Sequence, residues 1–297
     1  MSQPLLRGDA LKQASRKLAA DLQSKIDGAQ QGVGTFSDHV LISVLGRLER
    51  LDEGLPWEDS VSQLGATIDE LRLAVQRLQL LLGRRGQGRL VDFHERAQAV
   101  TGGVDRDCDL SDLDLMMSQG VFDCMHWRGM PLFKTVYDFS IYTMLLWALK
   151  PRTIIELGSG TGASAVWLAD LSETFGIDSK VYSVDLKKPE LQHDAVTFIQ
   201  GDCLNIESVM GQDLLGNADH PWLVIEDAHV NVDGVLRHFH PYVRQGDYVV
   251  IEDSASKKDD ITRFLLGAPG CYAVDTYFTD FFGRNVTCAQ DSIFVRT

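Results

Sequence analysis

Apolar residues recur at steps of three and four over the first hundred positions. Val40, Leu41, Val44, Leu45 and Leu48 do so across Ser37–Leu51, and Val61, Leu64, Ile68, Leu71, Val75, Leu78 and Leu81 across Trp57–Leu82. That period draws one apolar stripe along each of two predicted helices. Asp52–Pro56 separates them, and three glycines between Gly83 and Gly88 end the second. Residues 1–104 therefore read as a helical N-terminal region. Its predicted use is an interface in a homodimer or a lid over a site.

The texture changes at Arg152, where short β-branched runs alternate with helical stretches. Strands are predicted at Thr153–Leu157, Lys180–Asp185, Val196–Gln200, Trp222–Glu226 and Asp247–Glu252. Helices are predicted at Ala163–Leu171, Val232–Val243 and Asp260–Leu266, and Cys271–Tyr277 with Ser292–Arg296 reads as a closing antiparallel pair. Strand–helix alternation specifies an α/β fold, a parallel sheet with helices on both faces, whose ligands bind at the carboxyl ends of the strands. Residues 105–297 are the expected second region.

Composition narrows the function. The chain is 44% hydrophobic, which excludes wholesale disorder. Its longest apolar run, Tyr142–Leu149, falls well short of the ~20 residues of a bilayer span. Met1–Gln13 has no apolar stretch of the kind a secretory signal carries. Five cysteines without a CxxC spacing predict reduced thiols in a cytoplasmic protein. Net charge is −14, and residues 1–104 hold 13 side chains of each sign, so the second region carries all of it. An acidic body repels phosphate backbones, so the expected partner is a small molecule, with neither nucleic acid nor membrane.

Candidate chemistry begins after the first predicted strand, at Glu156-Leu-Gly158-Ser159-Gly160-Thr-Gly162. Glycines let the backbone turn tightly and approach a ligand, and the following helix start favours polar ligand groups. Asp185 ends the second strand, where a carboxylate can accept two ribose hydroxyls. Asp202-Cys203 follows the third. Glu156, Gly158, Ser159, Gly160, Gly162, Asp185, Asp202 and Cys203 thus form a candidate nucleotide site, with Asp227 facing the same cleft. The glycine spacing is GxGxG; an NAD-type turn wants the third glycine one residue later. A turn that binds nothing is the remaining alternative. The fourth and fifth strands end in Glu226-Asp227-Ala-His229 and Glu252-Asp253. Carboxylates gathered in one cleft share protons, shift their pKa values or bind a hard cation such as magnesium. His229 is the candidate general base.

Glu156, the glycines, Asp185 and Asp202 together resemble the class I S-adenosylmethionine (SAM) methyltransferases, which implies a seven-stranded Rossmann-like sheet and SAM as cofactor. A narrower resemblance is carried by Trp127-Arg-Gly129-Met-Pro131, Asp138, Lys150-Pro151, Ile154-Ile155-Glu156-Leu-Gly158, Asp227 with His229, Val235-Leu236, Tyr242, Gly246-Asp247-Tyr248, Glu252-Asp253 and Phe282-Gly283-Arg284-Asn285. Over roughly residues 122–297 the chain is similar to the cephalosporin-hydroxylase-type family, which includes metal-dependent O-methyltransferases of macrolide sugars and related natural products. The resemblance implies Asp227, Glu252 and Asp253 as ligands of Mg2+. That family places its histidine three residues after the aspartate, whereas His229 comes two after Asp227. Two alternatives stay open. One is a SAM-consuming cyclase of the same fold, forming azetidine-2-carboxylate and methylthioadenosine, for which Trp127, Phe133, Tyr137, Asp202, Asp227 and Asn231 are candidates. The other is a non-catalytic SAM-binding protein.

Overall fold

The structure, a computed structural model, describes residues 88–98 and 108–297. The helices expected at Ser37–Leu51 and Trp57–Leu82, and the dimer interface or lid expected of them, lie outside the described residues. The described strands are β1 (Leu90–Val91), β2 (Met125–Trp127), β3 (Met130–Leu132), β4 (Thr153–Leu157), β5 (Lys180–Asp185), β6 (Val196–Gln200), β7 (Trp222–Glu226), β8 (Tyr248–Ile251), β9 (Tyr272–Asp275) and β10 (Ile293–Arg296). Among the described residues, helices of eight or more residues are α1 (Val136–Leu149), α2 (Ala163–Thr174), α3 (Val232–Phe239) and α4 (Lys258–Gly267).

Eight strands form one sheet in the order β1-β9-β10-β8-β7-β4-β5-β6, and β2 pairs with β3 in a separate hairpin. The five strands from β8 to β6 are parallel. β10 runs antiparallel between β8 and β9, as the closing pair predicts, and β1 lies antiparallel on β9. The count expected from the sequence was seven. The eighth strand, β1, is two residues long, too short for an alternating pattern to announce it. The predicted helix Val232–Val243 stops at Phe239.

β4, β7 and β8 are buried at every position because both faces of the sheet are covered. Along β7, Trp222 and Val224 enter one apolar cluster while Leu223 and Ile225 enter the other; along β8, Val249 and Ile251 oppose Tyr248 and Val250. The period-2 reversal of side chains makes this division. Val235 and Phe239 of α3, with Ile261 and Phe264 of α4, cover the first face. Ile141 and Leu145 of α1, with Val166 and Trp167 of α2, cover the second. The Thr135 hydroxyl caps α1 by accepting the Asp138 N–H at 2.9 Å. α1 ends on Lys150 in the left-handed region (φ 51°), with Pro151 next.

Chain order reverses at β4, which lies between β5 and β7. Loops leaving neighbouring strands there go to opposite sides and open a crevice at the carboxyl ends. The ends of β4, β5, β7 and β8 meet in that crevice.

Candidate active site

A cavity of about 480 Å3 occupies the crevice. This is a size that suits a small-molecule ligand. Gly158, Gly160, Asp185, Asp202, Cys203, Asp227, His229, Glu252 and Asp253 all line it, so residues as far apart in sequence as Gly158 and Asp253 converge as the topology requires.

The glycine turn is built for close approach. Gly158 has φ 103°, and a Cβ there would fall 2.6 Å from the Asp227 carbonyl oxygen, so the turn can pass under β7 only without a side chain. A Cβ on Gly160 would meet nothing within 4 Å, so that position leaves open space beside the cavity. The Gly160 N–H donates to Asp185 Oδ2 at 2.9 Å, and the Lys187 N–H to Oδ1 at 3.2 Å. A carboxylate has about four lone-pair sites, so Asp185 keeps acceptor capacity for hydroxyls. Asp202 takes the Leu204 N–H on Oδ1 at 2.9 Å. Burial pushes the Cys203 thiol up to about 11, so it stays protonated.

Glu156, Ser159 and Gly162 sit beneath and behind the turn rather than on the cavity wall. Ser183 donates to Glu156 Oε2 at 2.5 Å, and the Ser159 hydroxyl lies 2.5 Å from that of Ser183. Burial raises the Glu156 pKa, with Lys134 pulling it the other way. This stack ties the turn to β4 and β5. A Cβ on Gly162 would press within 3.0 Å of Pro189 and Phe198.

The carboxylates form a continuous chain of contacts. The Tyr142 hydroxyl donates to Glu252 Oε1 at 2.6 Å. Lys134 bridges Glu252 Oε2 and Asp227 Oδ2, the latter at 3.2 Å. Asp227 Oδ1 then faces His229 Nε2 at 3.3 Å, and the same nitrogen lies 3.4 Å from Asp253 Oδ2. Burial opposes ionisation of Asp227, but Lys134 and His229 outweigh it and hold its pKa below the carboxylate range. Burial and the adjacent Asp227 push Glu252 well up. The hydrogen bond to Asp227 raises the His229 pKa. His229, Asn231 and Asp253 all have left-handed backbone (φ 58°, 51° and 46°), a conformation that Asn, Asp and His tolerate better than other side chains.

Asn231 does not line the cavity. Its amide donates to the Cys203 and Leu204 carbonyls at 3.2 and 3.4 Å, fastening the loop after β6 to the start of α3. Glu226 lies below the site, paired with buried Lys257 at 2.8 Å. Trp127 points away, its N–H donating to Asp170 at 2.6 Å, and Tyr137 packs on Phe282 with ring centres 5.4 Å apart. Phe133 does line the cavity.

Comparison with known proteins decides among the readings. The family described as Rhamnosyl O-methyltransferase/CmcI matches residues 119–282, more than half of the chain. The chain belongs to this family. It is a SAM-dependent methyltransferase by type, and an enzyme. A Rhamnosyl O-methyltransferase of Mycobacterium leprae (strain TN) is 29% identical over 175 residues, which are 55% of this chain and 74% of that protein. One of Mycobacterium bovis (strain BCG / Pasteur 1173P2) is 28% identical over 239 residues, 77% of this chain and 89% of that protein. A solved structure titled "CmcI-N160 apo-structure" is 26% identical with a TM-score of 0.51, covering 65% of this chain and 81% of its own. These likenesses support methyl transfer and lend nothing to cyclisation.

Within the matched span of the Rhamnosyl O-methyltransferase/CmcI family lie three cavity groups that sequence reasoning passed over: Lys134, Tyr142 through its bond to Glu252, and Gln119. Cys288 on the cavity wall is a fourth, beyond the span. Lys134 carried a legible signal. It is a lone cation between Leu132-Phe133 and the apolar start of α1, a setting that a solvated lysine seldom occupies.

Proposed function

We propose that the protein transfers the methyl group of SAM to a hydroxyl oxygen of a hydroxylated natural product, a sugar ring being the favoured acceptor, with a divalent cation assisting. The observation that carries this reading is His229 Nε2 set between Asp227 and Asp253 on the wall of the cavity that the glycine turn also lines. The relatives named Rhamnosyl O-methyltransferase support a sugar hydroxyl.

The residues fit the cofactor. Asp185 and Asp202 suit ribose hydroxyls and an adenine amino group and would repel a pyrophosphate. Gly160 leaves the room that a ligand backbone needs. SAM supplies an electrophilic methyl group when bound. The chain's part is to hold donor and acceptor in line, and to take the acceptor proton on His229. Asp227 orients that imidazole.

The residues also fit a cation. Ligand atoms of Asp227, His229 and Asp253 lie within 4.8 Å of one another. Asp227 and Asp253 supply the hard oxygen donors that Mg2+ prefers; Glu252, the third ligand by resemblance, is turned to Lys134 and Tyr142. A bound ion would lower the pKa of an acceptor hydroxyl. Residues 1–104 are proposed to join two copies, and the protein to work in the cytoplasm.

The test is incubation with SAM and a panel of glycosides, with mass spectrometry of both products. Acceptor-dependent S-adenosylhomocysteine with a methylated glycoside is expected, and SAM alone should stay intact. Methylthioadenosine from SAM alone would overturn the reading.

A further inference from the structure

Lys134 is 5% exposed. A buried ammonium is costly unless fully paired, and here two carboxylates from different strand ends pair with it: Asp227 after β7 and Glu252 after β8. Both are residues that the resemblance makes ligands of a divalent ion. The pairing is completed on the far side by the Tyr142 hydroxyl, which takes the other Glu252 oxygen. Each Glu252 oxygen therefore already accepts one hydrogen bond, and Asp227 holds Lys134 on one oxygen and faces His229 with the other. A charge that the chain itself supplies offsets part of the negative charge of the carboxylate cluster.

We propose that Lys134 is the resident cation of the metal site, filling for the ion-free enzyme the electrostatic place of the divalent ion and competing with it. The proposal rests on the reading that a divalent cation binds at Asp227 and Asp253, and it deepens that reading. Two consequences follow from charge and geometry. Without an ion, part of the mutual repulsion of three acidic side chains is offset by Lys134, so the site is assembled before the ion arrives. With an ion, Glu252 as a ligand would have to share its carboxylate with Lys134 or give it up, and a positive charge beside the site repels the newcomer. Lys134 thus sets the affinity low and leaves the ion exchangeable. It is a positioning residue in this role, since it acts through Asp227 and Glu252.

The test is Mn2+ titration of the full chain without SAM or acceptor, followed by the loss of the free-ion paramagnetic signal. Wild type is compared with Lys134→Gln, Lys134→Met and Lys134→Arg, and circular dichroism confirms folding. Lys134→Gln and Lys134→Met should bind Mn2+ at least tenfold more tightly than wild type, and Lys134→Arg no more tightly. Lys134→Gln keeps an amide donor in place should the methionine variant fail to fold. The thermal midpoint of both neutral variants should rise more on adding Mn2+ than that of wild type. Equal or weaker Mn2+ affinity in the neutral variants would overturn the role of Lys134 and leave the metal reading standing. Absence of saturable Mn2+ binding in every form would overturn the metal reading, and this one with it.

Discussion

Asp227 meets three groups at once: Lys134 on Oδ2, His229 on Oδ1, and the Gly158 turn against its carbonyl oxygen. Its backbone and side chain are therefore both constrained. Gly158→Ala should push the strand ends apart, because φ 103° is strained for alanine and its Cβ would lie 2.6 Å from that oxygen. The strain alone is about 1–3 kcal/mol, read as a drop of several degrees in Tm together with weaker SAM binding. His229→Asn should lower kcat by about 10²–10⁴-fold, the usual contribution of a general base, with the Kd for SAM unchanged within a few-fold. Asp253→Ala should abolish turnover with the same retention of SAM binding; equal loss of both would mean a role in folding. Asp227, His229 and Asp253 were legible because a strand end fixes where a residue must lie. For Lys134 the sequence marked an unusual setting but not its partners, which are 93 and 118 residues away and which only the folded sheet brings together.

At the level of elements, two clasps fasten parts of the fold to one another. The first is the β2–β3 hairpin on α2. Asp170 of α2 accepts the Trp127 N–H at 2.6 Å and the Arg128 Nε–H at 2.8 Å, and His193 Nε2 lies 3.2 Å away. Partial burial works against its ionisation, but the Trp127 and Arg128 donors outweigh it and hold the pKa below 3.8. A carboxylate whose pKa falls on folding stabilises the fold above its unfolded value, and that contribution is lost as pH drops through the folded one. Asp170→Asn should cost on the order of 1 kcal/mol at pH 7, since the site is partly solvated. In urea titrations the gap from wild type should narrow as pH falls below 3.8. The second clasp is Arg96, on the short helix Phe93–Gln98. It is 2% exposed and paired with Asp280, at 2.5 and 2.9 Å, and with Asp291. Arg96→Met would strand two buried carboxylates at a cost of roughly 3–5 kcal/mol, seen as a Tm lower by on the order of 10 °C. The tryptophan-arginine-glycine motif was visible in the sequence, and the structure supplies its reason, a latch onto α2. Nothing local in the sequence pairs Arg96 with acids 184 and 195 residues on.

Across the whole molecule, strand–helix alternation was enough to foresee a parallel sheet covered on both faces, with the crevice where chain order reverses. The antiparallel closure by β9 and β10 was legible too, from paired β-branched and aromatic runs. What escaped was whatever lacks a period: the hairpin and β1, which has only two residues. That smallest strand has a practical consequence. β1 covers the outer edge of β9, pairing Leu90 with Asp275 and Val91 with Val274, and Arg89 locks it with a 2.8 Å bond to Asp275. A shortened fragment that began at Cys108 would strip that cover and bare the hydrogen-bonding groups of an apolar strand, a ready template for another copy. Such a fragment should elute from size-exclusion chromatography as aggregate, while one that keeps residues 88–98 should remain dispersed. Eleven residues, none of them lining the cavity, would thus decide whether the catalytic region can be handled in solution at all.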